Sequence, residues 1–220
     1  MTNQEEIIKV IELIKNEVRK YDNSLMNKVA NKTNDPFKVL ISCLLSLRTR
    51  DETTDVIAEN LFKVAKTPKD FTRLPLKKLE KIIRPVNYYK TKSKRIKEIS
   101  KIIYRKYNSK VPNNREELLK LKGVGAKTSA IVMTYGFDDD NSIASDVNVH
   151  KISNRLGWVK TKKYGDTEVE LKKIVPKRYW IDINETFVIF GKKICTSVSP
   201  FCSKCQIRRY CPKIDVKSSR

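Results

Sequence analysis

The turn Gly123-Val124-Gly125 most narrows what this chain can fold into, because two glycines flank one apolar residue between two apolar runs. Leu118, Leu119 and Leu121 precede it and Ala130, Ile131 and Met133 follow it, so the stretch reads as helix, tight hairpin, helix, with Val124 as the plug. Glycine has no Cβ, which lets the backbone take positive φ and come close to a partner. Amides at the start of the helix from Ala126 onward point outward at the positive end of the helix dipole, a seat for an anion. Lys127 stands in that first turn as a candidate nucleophile, and an acidic candidate partner, Asp146, follows nineteen residues later. A Gly-x-Gly pair by itself is usually a plain turn. The apolar runs on both sides set this one apart.

Charge says what the anion is. Lys and Arg number 47 against 25 Asp and Glu, a formal charge of +22, so a polyanion leads as partner, although lysine enrichment also accompanies solubility and high growth temperature. Membranes fit poorly, since no apolar run approaches the roughly 20 residues needed to span a bilayer. The opening Met-Thr-Asn-Gln-Glu-Glu lacks the basic and apolar regions of a signal peptide, which predicts an intracellular protein, expected to act as a monomer. A chain of 220 residues buries about 70% of its unfolded surface, enough for one or two compact domains.

Helical spacing recurs along the chain and strand patterns do not. Ile7, Val10, Ile11, Ile14 and Val18 form the face of a first helix. Asp35-Pro36 caps and starts another, apolar nearly all round through Val39, Leu40, Ile41, Cys43, Leu44 and Leu45, with Cys43 as core filling. Thr49 or Asp51 is a cap for the next helix, with Val56, Ile57, Leu61, Phe62 and Val64. A short helix follows over 76–83. Tyr88-Tyr89-Lys90 leads into a basic helix whose Ile96, Ile99, Ile102 and Ile103 face inward, while Lys92, Lys94, Arg95 and Lys97 form a solvated face. Residues 136–141 read as an acidic loop, and helices resume through Val149, Ile152, Leu156 and Trp158, then over 167–174 and 183–190. His150, the one histidine, reads as a partly exposed helix residue. The fold class is all-α.

Cys195, Cys202, Cys205 and Cys211 fall within seventeen residues. Inside a cell disulfides are disfavoured, and four thiolates on one loop suit structural zinc or an iron–sulfur cluster. Intervals of six, two and five residues are not the paired Cys-x-x-Cys knuckles usual for zinc.

Four blocks in this order resemble the endonuclease III family of DNA base-excision glycosylases with lyase activity. Residues 44–51 (Leu-Leu-Ser-Leu-Arg-Thr-Arg-Asp) are similar to its substrate-facing loop, 121–129 to its helix-hairpin-helix with the lysine nucleophile, 146–155 to its catalytic-aspartate segment, and 195–211 to its C-terminal [4Fe-4S] loop. The resemblance implies two helical domains flanking a DNA-binding cleft: a six-helix barrel-like domain over 28–138, and a cluster domain from 1–27 plus 139–220. It implies double-stranded DNA containing damaged bases or abasic sites as partner, Lys127 and Asp146 as catalytic residues, and Cys195, Cys202, Cys205 and Cys211 as ligands of a [4Fe-4S] cluster. Gly123, Val124, Gly125, Arg48, Lys204 and Arg208 would contact DNA. In the implied reaction Lys127 attacks the sugar C1′, expels an oxidised pyrimidine and leaves a Schiff base that β-eliminates, nicking 3′ to the lesion.

Two positions depart from the family pattern and bear on the lesion range. Arg48 stands where many members have glutamine, and arginine can fill the gap left by a flipped nucleotide and read an orphan guanine bidentately. Asn148 stands where the bacterial pattern usually has histidine and where adenine- and thymine-mismatch glycosylases of the same superfamily often have asparagine. Three functions therefore stay open: a glycosylase/lyase for oxidised pyrimidines, a monofunctional mismatch glycosylase acting on thymine or uracil opposite guanine, and a non-catalytic DNA-binding protein. Lys127 favours the first, because a Schiff base requires an amine.

Overall fold

The computed structural model of the chain describes residues 3–21, 35–139 and 141–220, apart from the Asp51 side chain. Regular structure among these residues is helical throughout, as the sequence pattern predicts. The expected domain start at residue 28, and Asp140 of the acidic loop, lie outside the described residues. By its packing the chain divides into two compact units, Leu25–Asp139 and the pair Met1–Ser24 with Asp140–Arg220.

In the terminal unit, α1 (Gln4–Val18) starts at Asn3, whose side chain accepts from the Glu5 amide at 3.2 Å. Ile7, Val10, Ile11 and Ile14 are fully buried on one face, the 3.6-residue period expected of a helix lying on a core. The helices α9 (Val147–Arg155), α10 (Tyr164–Ile174) and α11 (Trp180–Lys193) complete that core. Each such aliphatic side chain stabilises the fold by about 1.5–3 kcal/mol when buried. Trp158 lies beyond the end of α9 and tilts against Phe187 at 5.9 Å between ring centroids. The chain then runs through two single turns, Cys202–Lys204 and Arg208–Tyr210, with Ile207 plugged into the same core between them.

The other unit holds α2 (Pro36–Ser46), α3 (Asp51–Val64), α4 (Pro68–Arg73), α5 (Leu76–Ile82), α6 (Tyr89–Lys106), α7 (Arg115–Leu119) and α8 (Ala126–Phe137). Asp35 caps α2, its carboxylate accepting from the Phe37 amide at 2.9 Å and the Lys38 amide at 3.3 Å. Every residue from Val39 to Leu45 is buried, and Phe37 meets Phe71 of α4 edge-on at 5.3 Å. Against α2 lies α8, and their approach is fixed by Gly136, where a Cβ would sit 2.8 Å from Pro36 Cα. The acidic loop expected from residue 136 thus begins later, because Gly136 and Phe137 are the last turn of α8.

Two local expectations are corrected. The N-cap of α3 is Arg50, which makes no side-chain cap bond; the Thr49 hydroxyl instead accepts from the Asn87 amide and from Lys92. Val56 and Val64 are exposed, leaving Ile57, Ala58 and Leu61 as the buried face of α3. Nor are Lys92 and Lys97 part of a solvated face. Lys92 is buried and donates to the Leu45 carbonyl in the last turn of α2 and to the Leu47 carbonyl just beyond it, while Lys97 donates to the Phe71, Thr72 and Leu74 carbonyls at 2.7–2.9 Å at the end of α4. The two lysines satisfy carbonyls that a helix C-terminus leaves without an intrahelical donor.

Candidate functional site

At the hairpin, Gly123 takes φ +91° and a Cβ there would strike Arg95 Cδ at 2.3 Å, so only glycine fits. Val124 is buried as the plug, its amide donating to the Leu121 carbonyl at 2.9 Å. Gly125 differs from expectation. Its backbone is extended (φ −102°, ψ −176°), and a Cβ would meet nothing within 4 Å. Its lack of a side chain is therefore not required by the fold; it leaves open space at the N-terminus of α8, where the cap contributes no side chain to the first-turn amides. Arg115 braces this start from α7, donating to Ser129 Oγ and the Ala126 carbonyl at 3.4 Å each.

Lys127 follows in the first turn of α8, half-buried. Burial in α2 pushes the Cys43 thiol up to about 12, and the Lys127 ammonium pulls it the other way. The nucleophile candidate therefore lies near α2, the helix that leads into the loop carrying Arg48.

That loop is held in an unusual conformation. Arg48 is exposed at φ +56°, Tyr88 is exposed at φ +59°, and the guanidinium lies 5.9 Å from the Tyr88 ring centroid. Left-handed backbone at non-glycine residues is costly and persists where surrounding contacts impose it. Here Asn87 imposes it, donating from its side chain to the Arg48 carbonyl and from its amide to Thr49 Oγ1 at 3.2 Å. Lys92 adds bonds to Leu45 O at 2.7 Å, Leu47 O and Thr49 Oγ1 at 3.1 Å. Burial lowers the Lys92 pKa to about 8. A cavity of ≈ 300 Å³ lies between this loop and α6, lined by Arg48, Tyr88, Thr91 and Arg95 among others.

In the terminal unit Asp146 is buried and caps α9, its Oδ1 accepting from the amides of Asn148 at 2.8 Å and Val149 at 3.0 Å. Asn148 is buried too. Its Oδ1 accepts from Lys151 Nζ at 3.1 Å, and its side chain fills the space over Gly191, where a Cβ would approach to 2.5 Å. Lys151 also donates to the Gly191 carbonyl at 3.3 Å; burial lowers its pKa, against a pull from the Asp146 charge. His150 pairs with Thr167 Oγ1 at 2.7 Å and meets Tyr164 edge-on, as befits a helix residue in a polar network.

Cys195, Cys202, Cys205 and Cys211 are free thiols lining one small cavity with Phe190, Pro200 and Ile207. Burial pushes Cys205 up to about 11 and raises Cys211. No three His, Cys, Asp or Glu side chains among the described residues are arranged to hold a metal ion. What the four cysteines share is the cavity, and Arg155 ties down the start of the loop. Its guanidinium donates to Thr196 O at 2.8 Å, Ser197 O at 2.9 Å and Cys195 Sγ at 3.3 Å, and its own carbonyl accepts from the Ile214 amide at 3.2 Å. Lys204 and Arg208 are exposed on the two turns of the loop.

Sequence reasoning missed Lys92, Asn87 and Arg155. Nothing in their spacing marks them, since a lysine that caps a neighbouring helix and one that faces water read alike in a basic run.

Comparison with known proteins shows the family. Residues 41–177 match the HhH-GPD superfamily base excision DNA repair protein family. Endonuclease III of Thermotoga maritima is 45% identical over 181 residues, 82% of this chain and 84% of that protein. Among solved structures, a non-covalent endonuclease III–DNA complex superposes with a TM-score of 0.85 at 30% identity, covering 97% of both chains. A thermostable thymine-DNA glycosylase gives 0.79 at 25% identity over 96% of this chain and 95% of that one. With a helical architecture, a glycine hairpin followed by a lysine, and a relative this similar across most of its length, the chain belongs to the endonuclease III family within the HhH-GPD superfamily of base excision DNA repair proteins.

Proposed function

We propose that this base-excision glycosylase and abasic-site lyase removes oxidised pyrimidines from duplex DNA and nicks 3′ to the site, with Lys127 as nucleophile and Asp146 as its electrostatic partner. The observation that carries the reading is Lys127 in the first turn after a hairpin whose Gly125 faces open space. Duplex DNA reaching that space would meet outward amides at a helix N-terminus. A base inside the stack is out of reach, so the nucleotide must first be flipped out, at a cost of a few kcal/mol that is lowest for a damaged pair. Lys127, once its ammonium has given a proton to solvent, attacks C1′ as the amine, the C1′–N bond breaks, and the base departs with its bonding electrons and takes up a proton. Loss of a proton from the amine and opening of the sugar ring give the Schiff base, and removal of a C2′ proton expels the 3′ phosphate. Asp146, fixed in orientation by two α9 amides, would steady positive charge on the sugar.

Cys195, Cys202, Cys205 and Cys211 fit a [4Fe-4S] cluster by donor type, since four thiols line one cavity with no competing ligand type. Bound there, the cluster would serve to brace the loop that presents Lys204 and Arg208. No step above passes through it.

A second reading, a mismatch glycosylase acting on thymine opposite guanine, draws on the Arg48 position and the similarity to a thymine-DNA glycosylase. Asn148 does not add to it, because its side chain is occupied by Lys151 and Gly191. Single-turnover assays on duplexes carrying thymine glycol, 5-hydroxycytosine or a G·T mismatch test the choice. Faster excision of the oxidised bases with a coupled nick is expected; fast thymine release without a nick favours the second reading.

A further inference from the structure

The basic run of α6 divides into two kinds of cation. Lys92 and Lys97 are consumed by main-chain carbonyls at the ends of α2 and α4. Lys90, Lys94 and Arg95 are not. With Lys122, the residue before Gly123, they line a cavity of ≈ 330 Å³ whose other walls are Thr91 and Glu98. Lys90, Lys94 and Lys122 are exposed, and none of the four cations forms an ion pair among the described residues. Four cations against one carboxylate repel one another in the free protein, and a polyanion relieves that repulsion.

We propose that this cavity is a second seat for backbone phosphates, taking the DNA strand that the hairpin engages. The inference rests on the DNA-repair reading above. Its position supports it. Arg95 packs directly over Gly123 of the hairpin, close enough that a Cβ there would touch its side chain, and Arg95 also lines the cavity beneath Arg48 and Tyr88. One side chain thus joins three surfaces of the unit: the hairpin, the basic cavity and the Arg48 loop. A strand whose phosphate sits at the hairpin amides has its neighbouring phosphates within reach of Lys122 and Lys94, where the arginine fork binds a phosphate bidentately and the lysines supply point charge. Such contacts carry no base information, so the seat fixes register along the strand and leaves lesion choice to other groups.

The test is equilibrium binding of the full chain, across a KCl series, to a duplex with a tetrahydrofuran abasic analogue and to an undamaged duplex. The Lys90→Gln/Lys94→Gln variant should weaken binding to both duplexes alike, and its log–log salt slope should be shallower than wild type by about 0.9 for each phosphate released. The control, Lys78→Gln/Lys81→Gln, removes the same charge from exposed positions on α5 and should keep the wild-type slope. An unchanged slope in the first variant overturns the seat, as does an equal change in the control. Inorganic phosphate at matched ionic strength should leave the difference between wild type and variant in place; if it erases that difference, the cavity takes free phosphate and the proposal fails. Failure of the underlying reading looks different: wild type would then neither nick abasic DNA nor be trapped on it, whatever the slopes.

Discussion

Lys92 Nζ lies 2.7 Å from the carbonyl oxygen of Leu45, a contact buried at the end of α2, two residues before the loop's Leu47 carbonyl that the same ammonium also binds. One lysine on α6 thereby closes a helix and fixes the loop that presents Arg48. Replacing it with methionine keeps much of the volume and leaves these buried acceptors without a donor. Lys92→Met should lose about 1–3 kcal/mol of stability in denaturant unfolding. The pH dependence has a definite sign. Burial sets the folded pKa at about 8 against an ordinary 10.5, so between those values the unfolded chain holds more proton than the folded one. The group's contribution is fully present above 10.5 and is lost as pH falls through 8, changing by at most about 1.4 kcal/mol per pH unit. Raising pH through that window should therefore shift the stability difference toward wild type; a shift toward Lys92→Met contradicts the burial.

The two hairpin glycines should separate folding from binding. At Gly123 a side chain meets a positive φ and Arg95, so Gly123→Ala should destabilise the protein by more than about 1 kcal/mol. At Gly125 the added methyl projects into open space. Gly125→Ala should keep the wild-type melting temperature yet weaken binding to damaged and undamaged duplex alike. Equal melting and equal affinity in that variant would remove the hairpin from the DNA contact.

Much of the architecture was legible because helical period and caps are local. Ile7 to Val18 and the Asp35-Pro36 start of α2 follow from residues within one or two turns. Gly123 and Val124 were legible for the same reason: positive φ and an apolar plug leave a short-range mark. Lys92, Asn87 and Arg155 were not legible, since their partners lie about 40 or more residues away. A lysine in the run Lys90 to Lys97 carries no sign of which carbonyl it will find. Gly125 shows the converse, a glycine whose sequence context suggests a strained turn and whose backbone is extended.

Arg155 makes a prediction for the cysteine loop. Its guanidinium supplies donors to Thr196, Ser197 and Cys195, so Arg155→Met should loosen 195–211 and cost about 1–3 kcal/mol through partly buried acceptors left unpaired. The purified wild type should be yellow-brown and contain iron; Arg155→Met and serine at any of the four cysteines should lower iron content, while Cys43→Ser should not. Zinc without iron in elemental analysis would contradict the cluster assignment.

Asp146 serves as a helix cap in the structure, and the proposed catalytic role adds to that. Asp146→Asn retains an oxygen for the two α9 amides, so stability should fall by no more than about 1 kcal/mol. Removal of the charge should slow single-turnover excision by roughly 10² to 10⁴. A normal rate with a lowered melting temperature would leave Asp146 a cap only.

Lys127 carries the central claim, and borohydride trapping on an abasic-site duplex tests it most directly. A Schiff base reduced in place becomes a stable covalent complex, resolved from free protein by denaturing electrophoresis. Wild type should give that complex, and Lys127→Gln should give none while binding the duplex within a few-fold of wild type. Trapping that persists at wild-type yield in Lys127→Gln would show that another amine attacks C1′ and would contradict the account.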